Sequence, residues 1–184
     1  MKRVCITGTG RAGTTFLVRL LTLMGLNTGY KVDWIKENNK FISKNCNAGL
    51  ENYNRSSPPE IIKDPMMIEY PEYFILQYNI TDVIWPVRNF SDAADSRVSH
   101  GKENGGLWNA NNKDEQLNVF YKYTSEAIYH ITQHNVNLHL LSFETMVADH
   151  KYLYDKIKFL FDEDVSYGFF VDQYYLATRI STNK

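Results

Sequence analysis

The chain has 184 residues, a formal net charge of −1, and a composition that is 43% hydrophobic and 14% aromatic. This length and composition favour one globular domain over residues 1–184, and the near-zero charge argues against a general nucleic-acid binder. No apolar run approaches the roughly 18 residues of a membrane span and no secretory signal is visible, so we expect a cytoplasmic protein without a membrane span.

The chain begins with a strand, a glycine-rich loop and a helix. Residues 2–7 form a short apolar run bounded by Gly8, which is typical of a buried strand. Helical spacing of apolar residues then runs from Gly13 to Gly25 and includes Phe16, Leu17, Leu20, Leu21 and Met24. This order of elements is the beginning of an α/β domain.

Strand and helix patterns alternate along the rest of the chain. Short apolar runs predict further strands at residues 30–32, 60–63, 82–88 and 137–143. Helical spacing predicts helices at residues 70–78, 89–99, 113–134, 151–161 and 167–177. The alternation predicts a three-layer α/β fold with a mostly parallel central sheet and flanking helices, in which ligands bind beyond the carboxyl ends of the strands.

Local signals refine this outline. The polar segments 36–59 and 100–112 are predicted loops, and the second is long enough to cover a substrate. Pro86 lacks the N–H group that a strand ladder uses, so we expect it at the end of its strand. Either Asn89 or Ser91 should cap the helix that follows.

The loop after the first strand fits two phosphate-binding templates. Gly8, Gly10 and Gly13 form the G-x-G-x-x-G of a dinucleotide-binding fold, and Asp33 follows at a distance that suits the ribose. Gly8 and Gly13 also give the frame of a phosphate loop, although Thr14 stands where an ATP-binding loop has its lysine. The loop alone leaves open a Rossmann NAD(P)-binding oxidoreductase and a P-loop small-molecule kinase.

The donors of this loop favour an anion other than a Mg-bound triphosphate. A glycine-rich turn before a helix N-terminus forms a nest of backbone N–H groups, and Arg11, Thr14 and Thr15 add side-chain donors. A second anion site is predicted after the strand at 82–88. If Arg88 leaves that strand and Ser96 lies two turns into the next helix, both can bind a second phosphate.

These two elements together resemble the family of sulfotransferases that use 3′-phosphoadenosine 5′-phosphosulfate (PAPS). Residues 11–16, Arg-Ala-Gly-Thr-Thr-Phe, match the phosphosulfate-binding loop of the family. Arg88-Asn89-Phe90 with Ser96 matches the strand that ends in arginine and has a serine eight residues later. Weaker similarities are Lys63-Asp64-Pro65 after a strand and the stretch "LLSFETMVADHKYLYDKIKFLF".

The sequence departs from the family pattern in four ways. Arg11 replaces a lysine, Phe90 replaces a proline, and the chain is short for the family. The usual C-terminal glycine-rich phosphate segment is not visible, and Arg179 or Lys184 in the basic tail could take its place.

The resemblance implies a P-loop NTPase-like sulfotransferase fold and a transferase that moves a sulfuryl group in line from PAPS to a hydroxyl or amine acceptor. It implies that the loop holds the 5′-phosphosulfate, and that the arginine–serine pair holds the 3′-phosphate of PAPS and of its product, 3′-phosphoadenosine 5′-phosphate (PAP). The residues implied to bind the nucleotide are Arg11, Ala12, Gly13, Thr14, Thr15, Phe16, Arg88 and Ser96.

The resemblance also implies a charge-stabilising cation and a general base. Arg11 and then Lys63 are the candidates for stabilising the leaving phosphate. Asp64 is the first candidate for the base, and the alternatives are Asp33, Glu37 and His100. Because the base is uncertain, a non-catalytic nucleotide-binding homologue is a further alternative.

No metal is implied, and the sequence offers no evident cluster of metal ligands. Cys5 and Cys46 are too few for a disulfide framework or a thiolate site. The histidines besides His100 are expected at helix surfaces or in strands without partners, and they are His130, His134, His139 and His150. The acceptor class stays open between a small molecule, a carbohydrate, a lipid and a peptide. Trp34, Tyr53 and Trp108, in loop-like segments, are candidates for a pocket that stacks on adenine or acceptor.

Overall fold

A computed structural model of the chain describes residues 2–37, 49–52, 57–100 and 105–182. Its centre is a four-stranded parallel sheet in the order β2-β1-β3-β4. The strands are β1 (Arg3–Ile6), β2 (Ile61–Lys63), β3 (Ile80–Val87) and β4 (Asn137–Ser142). The predicted α/β class with a parallel sheet is therefore confirmed. The predictions for Cys46, Tyr53 and Lys184 fall outside the described residues.

Helices account for most of the remaining described chain. They are α1 (Thr14–Leu23), α2 (Val32–Glu37), α3 (Pro71–Tyr78), α4 (Phe90–Val98), α5 (Lys113–Gln133), α6 (Phe143–Ala148), α7 (His150–Ile157) and α8 (Tyr167–Thr182). Short 3₁₀ turns lie at Pro65–Ile68 and Lys158–Leu160. Within the described ranges, no helix combines the length and the apolar character that a bilayer crossing requires.

The helices cover both faces of the sheet because neighbouring strand residues point in opposite directions. Ile6 and Ile84 belong to the buried cluster formed with α1, α7 and α8. Cys5, Val83 and Trp85 belong to a second cluster, formed with α3 and α5 on the other face. The alternation of buried side chains in β1 and β3 therefore separates two apolar layers.

Pro86 lies inside β3, opposite Leu141 of β4, rather than at the last position of the strand. The carbonyl of Ile84, two residues earlier, accepts from Thr7 N on the β1 side. In a parallel strand, the N–H and C=O groups of residues two apart point to the same neighbouring strand, so the backbone nitrogen of Pro86 also points toward β1. Because β1 has already ended at Ile6, the missing N–H of Pro86 interrupts no ladder.

The predicted strand at residues 30–32 is wrong, and Val32 instead begins α2. Asp33 in the first turn of α2 is favourable toward the helix dipole. Trp34 stacks on Tyr30, with ring centroids 5.3 Å apart, which packs the helix against the bend before it. A three-residue apolar run was therefore too short to distinguish a strand from the start of a helix.

Two boundaries at the C-terminal side also differ from the prediction. The strand predicted over 137–143 ends at Ser142, whose side chain accepts from Thr145 N and caps α6, a helix the sequence pattern did not indicate. The helix predicted over 167–177 continues to Thr182. The predicted cap at Asn89 is confirmed, because its side chain accepts from Ser91 N and Asp92 N.

Candidate functional site

The strand order creates a crevice between the carboxyl ends of β1 and β3. β1 pairs with β2 on one side and with β3 on the other, while the chain after β3 continues away from β1 to β4. In open α/β sheets, ligands bind at the point where neighbouring connections diverge in this way. The glycine loop follows β1 and Arg88 follows β3, so both predicted anion-binding elements lie at this crevice.

The loop after β1 has an unusual backbone that suits an anion nest. Gly8, Gly10, Arg11 and Gly13 all have positive φ, at 145°, 73°, 59° and 81°. For Arg11 this left-handed conformation costs about 1–2 kcal/mol, so the surroundings must impose it. Gly13 is the N-cap residue of α1, and because it has no side chain, it gives the first turn of α1 no side-chain cap within the described part of the chain.

A buried guanidinium holds the loop in this shape. Arg97 of α4 donates from Nε and Nη2 to the carbonyl of Thr9, at 3.2 and 2.8 Å. Its Nη1 donates to the carbonyls of Gly105 and Gly106, at 3.3 and 2.7 Å. The guanidinium also lies 5.3 Å from the ring of Trp108. Burial, together with the nearby Arg11 charge, lowers the pKa of Arg97 to about 10, which leaves Arg97 charged at neutral pH.

Two glycines of the loop are favoured by close neighbours and by their backbone conformation. A Cβ at Gly10 would overlap Nη2 of Arg97, and a Cβ at Gly13 would overlap the methyl group of Met146. Both positions also have positive φ, which side chains rarely adopt. The loop is therefore fitted between α4 on one side and α6 on the other.

The side chain of Arg11 brings the two predicted anion sites together. Its Nε donates to Ser96 Oγ at 3.1 Å, and its Nη2 lies 2.8 Å from His100 Nε2. His100 Nδ1 faces the carbonyl of Ser96, so it must carry the proton, and Nε2 is then the acceptor for Arg11. Arg88 Nη1 donates to the carbonyl of Arg11 at 3.0 Å and its guanidinium lies 5.1 Å from the ring of Phe143.

This part of the crevice has an excess of positive charge. Burial lowers the pKa of Arg11, and the charge of Arg88 lowers it further. Among the residues that the structure describes, the ion pairs found involve none of Arg11, Arg88 and Arg97. Three guanidinium groups thus lie close enough to repel one another without a carboxylate from the described chain to balance them. Such an arrangement favours a bound anion.

Lys63 lies beside the loop but is already engaged. Its ammonium group donates to Thr15 Oγ1 at 3.2 Å and to the carbonyl of Gly49, and it pairs with Glu51 at 2.8 Å. Only 1% of the Lys63 side chain is exposed. Lys63 therefore supports the start of α1 through Thr15, and its charge is balanced by Glu51.

Asp64 is enclosed behind the same strand end. Its backbone carbonyl accepts from Thr7 Oγ1 at 2.8 Å, and its Oδ1 accepts from Met66 N at 2.7 Å. Within the described structure its Oδ2 is buried without a hydrogen-bond partner. The pKa of Asp64 is raised to about 7, mainly by burial. The hydrogen bond from Met66 N lowers the pKa, and the charge of Glu51 raises it. This pKa suits a general base, but the carboxyl is fully buried, so contact with an acceptor requires an opening movement.

The other sequence candidates are spread over several surroundings. Ala12 and Thr14 are buried, and Phe16 points into the core, where its ring meets that of Tyr174 edge to face at 5.6 Å. Asp33 and Glu37 are exposed on α2.

The remaining candidates lie outside the crevice or pack within the fold. The ring of Trp34 stacks on Tyr30, and the ring of Trp108 packs against Tyr123. Arg179 lies in the last turn of α8.

The histidines expected to be without partners have them in the structure. His139 contacts Asp82 at 2.9 Å, and His150 contacts the Tyr167 hydroxyl at 2.6 Å. His130 stacks on His134, and His134 also lies 3.5 Å from a carboxylate oxygen of Glu72. The expectation that these histidines lack partners was wrong, because each partner lies in another helical turn or another element, which the sequence pattern does not place beside the histidine.

Sequence reasoning missed the role of Arg97 in the loop. A signal was present, because Ala93 and Ala94 precede Arg97 by one helical turn and all three are buried on the same side of α4. An arginine on the apolar face of a helix indicates a buried partner for its guanidinium.

Comparison with known proteins gives no match: no family model, curated protein or solved structure resembles the chain closely enough to be assigned. The function must therefore be inferred from the residues and the geometry of the site.

We predict that Arg97→Lys lowers the free energy of unfolding by about 2–4 kcal/mol, because lysine cannot reach three carbonyl groups at once and leaves buried acceptors unpaired. Urea unfolding followed by circular dichroism measures this loss. The matched control is Arg19→Lys, which alters a guanidinium that donates to Ser181 Oγ outside the loop and should cost less than about 1 kcal/mol. Equal losses in the two variants would contradict the assigned role of Arg97.

We also predict that Asp64 makes the folded protein less stable as the pH rises, whereas a carboxyl with a lowered pKa makes a protein more stable. The folded chain keeps the Asp64 proton up to about pH 7, whereas the unfolded chain releases it near pH 4. The free energy of unfolding should therefore fall as the pH rises through this window, by up to about 1.4 kcal/mol per pH unit. Asp64→Asn keeps the oxygen that accepts from Met66 N but removes the titration, so its stability should depend less on pH.

The measurement is urea unfolding of both proteins at several pH values between 4 and 8. Asp172→Asn, which changes an exposed carboxyl on α8, is the control and should leave the wild-type slope unchanged. If Asp64→Asn and the wild type lose stability in parallel over the window, Asp64 is ionised in the folded protein and the interpretation is wrong.

Proposed function

We propose that this protein is a PAPS-dependent sulfotransferase that transfers a sulfuryl group in line to a hydroxyl or amine acceptor. The observation that carries the proposal is the cluster of Arg11 and Arg88, with Ser96, at the crevice between β1 and β3, where no ion pair to either arginine is found among the described residues. A ligand with two separate anionic groups balances such a cluster better than a ligand with one.

The donor set fits a doubly phosphorylated adenosine. The positive-φ loop and the N-terminus of α1 offer backbone N–H groups, which suit a compact oxyanion such as a phosphosulfate. Arg88 and Ser96 offer a guanidinium and a hydroxyl, which suit a terminal phosphate. Arg11 belongs to both sets, because its backbone is part of the loop and its side chain contacts Ser96.

In the proposed reaction PAPS supplies the activated sulfuryl group. The bond from sulfur to the bridging phosphate oxygen breaks, a bond from the acceptor oxygen or nitrogen to sulfur forms, and the acceptor proton passes to a base. The loop and Arg11 would hold the leaving phosphate and stabilise the charge that develops on it. Lys63 acts on this group only through Thr15 unless its pairing with Glu51 changes.

The base remains assigned to Asp64 in this proposal, with Asp33, Glu37 and His100 as alternatives. Asp64 has a pKa near neutrality but no exposed surface, whereas His100 is exposed and lies at the crevice next to Arg11. The Nε2 lone pair of His100 is directed to Arg11, so His100 becomes a base only if a ligand draws Arg11 away.

The alternative functions have weaker support. The Rossmann interpretation needs an acidic residue at the end of a second strand, but Asp33 lies in α2 and not after a strand. The kinase interpretation lacks the lysine of an ATP-binding loop, because Thr14 occupies that position. A nucleotide-binding homologue without catalysis requires only the anion-binding groups and is separated from the main proposal by experiment.

The test is a thermal-shift comparison of PAP, ATP with Mg²⁺, and NAD⁺ at equal concentrations. A ligand that binds only the folded protein raises its melting temperature, so we expect PAP to give the largest rise. A larger rise with ATP or NAD⁺ would contradict the proposed donor. Transfer of label from ³⁵S-labelled PAPS to a panel of phenol, carbohydrate and amine acceptors then separates the enzyme from a binder that lacks catalysis.

We predict that Arg88→Ala weakens the binding of PAP by at least about tenfold more than it weakens the binding of AMP, which lacks the 3′-phosphate. Isothermal titration calorimetry with both nucleotides measures the difference. Lys151→Ala, which removes an exposed positive charge on α7, is the control and should change both affinities equally and little. If Arg88→Ala weakens PAP and AMP to the same extent, Arg88 supports the loop through the Arg11 carbonyl and does not bind the 3′-phosphate.

A further inference from the structure

A second group of polar side chains lies away from the crevice, where the N-terminal turn of α3 meets the C-terminal end of α5. Glu72 comes from α3, and His130 and His134 come from the last turn and the C-cap of α5. Their ligand atoms, one from each residue, all lie within 4.8 Å of one another. The imidazole rings of His130 and His134 are nearly parallel, with centroids 6.4 Å apart and an interplanar angle of 14°.

We propose that Glu72, His130 and His134 form a binding site for one transition-metal dication of the Zn²⁺ class. Two imidazoles and one carboxylate are a donor set that Zn²⁺, Ni²⁺ and Cu²⁺ prefer, whereas Mg²⁺ and Ca²⁺ prefer oxygen donors alone. Three protein ligands leave at least one coordination position for water or another ligand.

The distances are compatible with metal binding after small side-chain rotations. Ligand atoms at about 2.1 Å from a tetrahedral metal are about 3.4 Å apart. His134 Nε2 and Glu72 Oε1 already lie 3.5 Å apart. Since no pair of the three atoms exceeds 4.8 Å, no pair has to close by more than about 1.4 Å.

The backbone that carries these ligands is well supported. His130 and His134 are one helical turn apart, and His134 N donates to the carbonyl of His130 at 3.0 Å, so both rings leave α5 on one side. The neighbouring side of α5 is anchored in the core by Ala127 and Ile131, which pack in the same buried cluster as Phe74 of α3. The metal would therefore bridge two helices that are already held together by apolar contact.

The side chains around the three ligands favour a cation, and a groove beside them is where a further ligand of the metal would lie. Glu72 and His130 line a groove of about 490 Å³ between α3 and α5, whose other charged lining residues are Glu69, Glu126 and Lys122. Three carboxylates against one ammonium group favour a dication over an anion there. The groove is otherwise lined mainly by tyrosines, so a ligand on the open metal position would contact phenol rings as well: Tyr70, Tyr73 and Tyr123.

The experiment is a titration of the purified, metal-free protein with ZnCl₂, followed by calorimetry and by competition with a chromophoric chelator. We expect saturation at one equivalent per chain. We expect His130→Ala and His134→Ala each to weaken binding by at least about tenfold, and Glu72→Gln to weaken it as well. Mg²⁺ at the same concentration should not compete.

The control variant is His150→Ala, which removes a half-buried histidine of α7 outside the cluster and should leave Zn²⁺ affinity unchanged. Circular dichroism and urea unfolding of each variant establish that it is folded. As a second readout, Co²⁺ should give visible absorption bands of a nitrogen- and oxygen-ligated ion in the wild type, and these should be absent from the double variant His130→Ala/His134→Ala. Tight binding that persists in a folded double variant, no saturable binding by the wild type, or equal competition by Mg²⁺ would each overturn the proposal.

Discussion

The candidate site depends on one buried guanidinium. Arg97 makes four hydrogen bonds to three carbonyl groups, and through them it connects the glycine loop, α4 and the segment before α5. A charged donor of this kind is stable in the interior only when its hydrogen bonds are satisfied. A change in the shape of the loop would break these bonds and leave a buried charge without partners, which is unfavourable. The left-handed backbone at Arg11 lies two residues after the Thr9 carbonyl that Arg97 holds.

The same constraint determines the charge of the crevice. Because Arg97 fixes α4 against the loop, its neighbours Ser96 and His100 meet the side chain of Arg11, and Arg88 at the end of β3 meets its backbone. Burial lowers the pKa values of Arg11 and Arg97, and repulsion lowers them as well, from Arg88 on Arg11 and from Arg11 on Arg97. The folded state bears this repulsion at a cost in stability, and an anion that binds there relieves it. Ligand-induced stabilisation would therefore measure the proposed binding of an anion.

Much of the fold could be predicted from the sequence, because the hydrophobic pattern of most segments agrees with the strand or helix that they form in the structure. The strands around residues 60–63 and 82–88 are apolar runs with clear boundaries, and the helices near 70–78 and 113–134 have strong helical spacing. The segment 30–32 failed because three residues carry too little periodic information. The convergence of the two predicted anion-binding elements also followed from topology, since parallel strands end at one edge of the sheet.

What could not be read from the sequence is which partners the buried polar side chains have. Arginine is normally an exposed residue, so the four hydrogen bonds of Arg97 were invisible without the position of the loop. The resemblance made Asp64 the first candidate for the base, but its burial beneath the strand end is seen only in the structure. The spacing of His130 and His134 was visible as one helical turn, but Glu72 comes from a separate helix.

The two candidate sites are separate in space, yet one chain of contacts joins them. Glu69, at the end of the turn before α3, accepts from Trp108 Nε1 at 3.2 Å and from the Tyr123 hydroxyl of α5 at 3.1 Å. Trp108 in turn lies against the guanidinium of Arg97 that shapes the glycine loop. The turn before α3 is thus linked through packed side chains to the glycine loop, where we propose that an anion binds. Each step in this chain is a hydrogen bond or a ring contact, so a displacement of Glu69 would reach Arg97 only through the ring of Trp108.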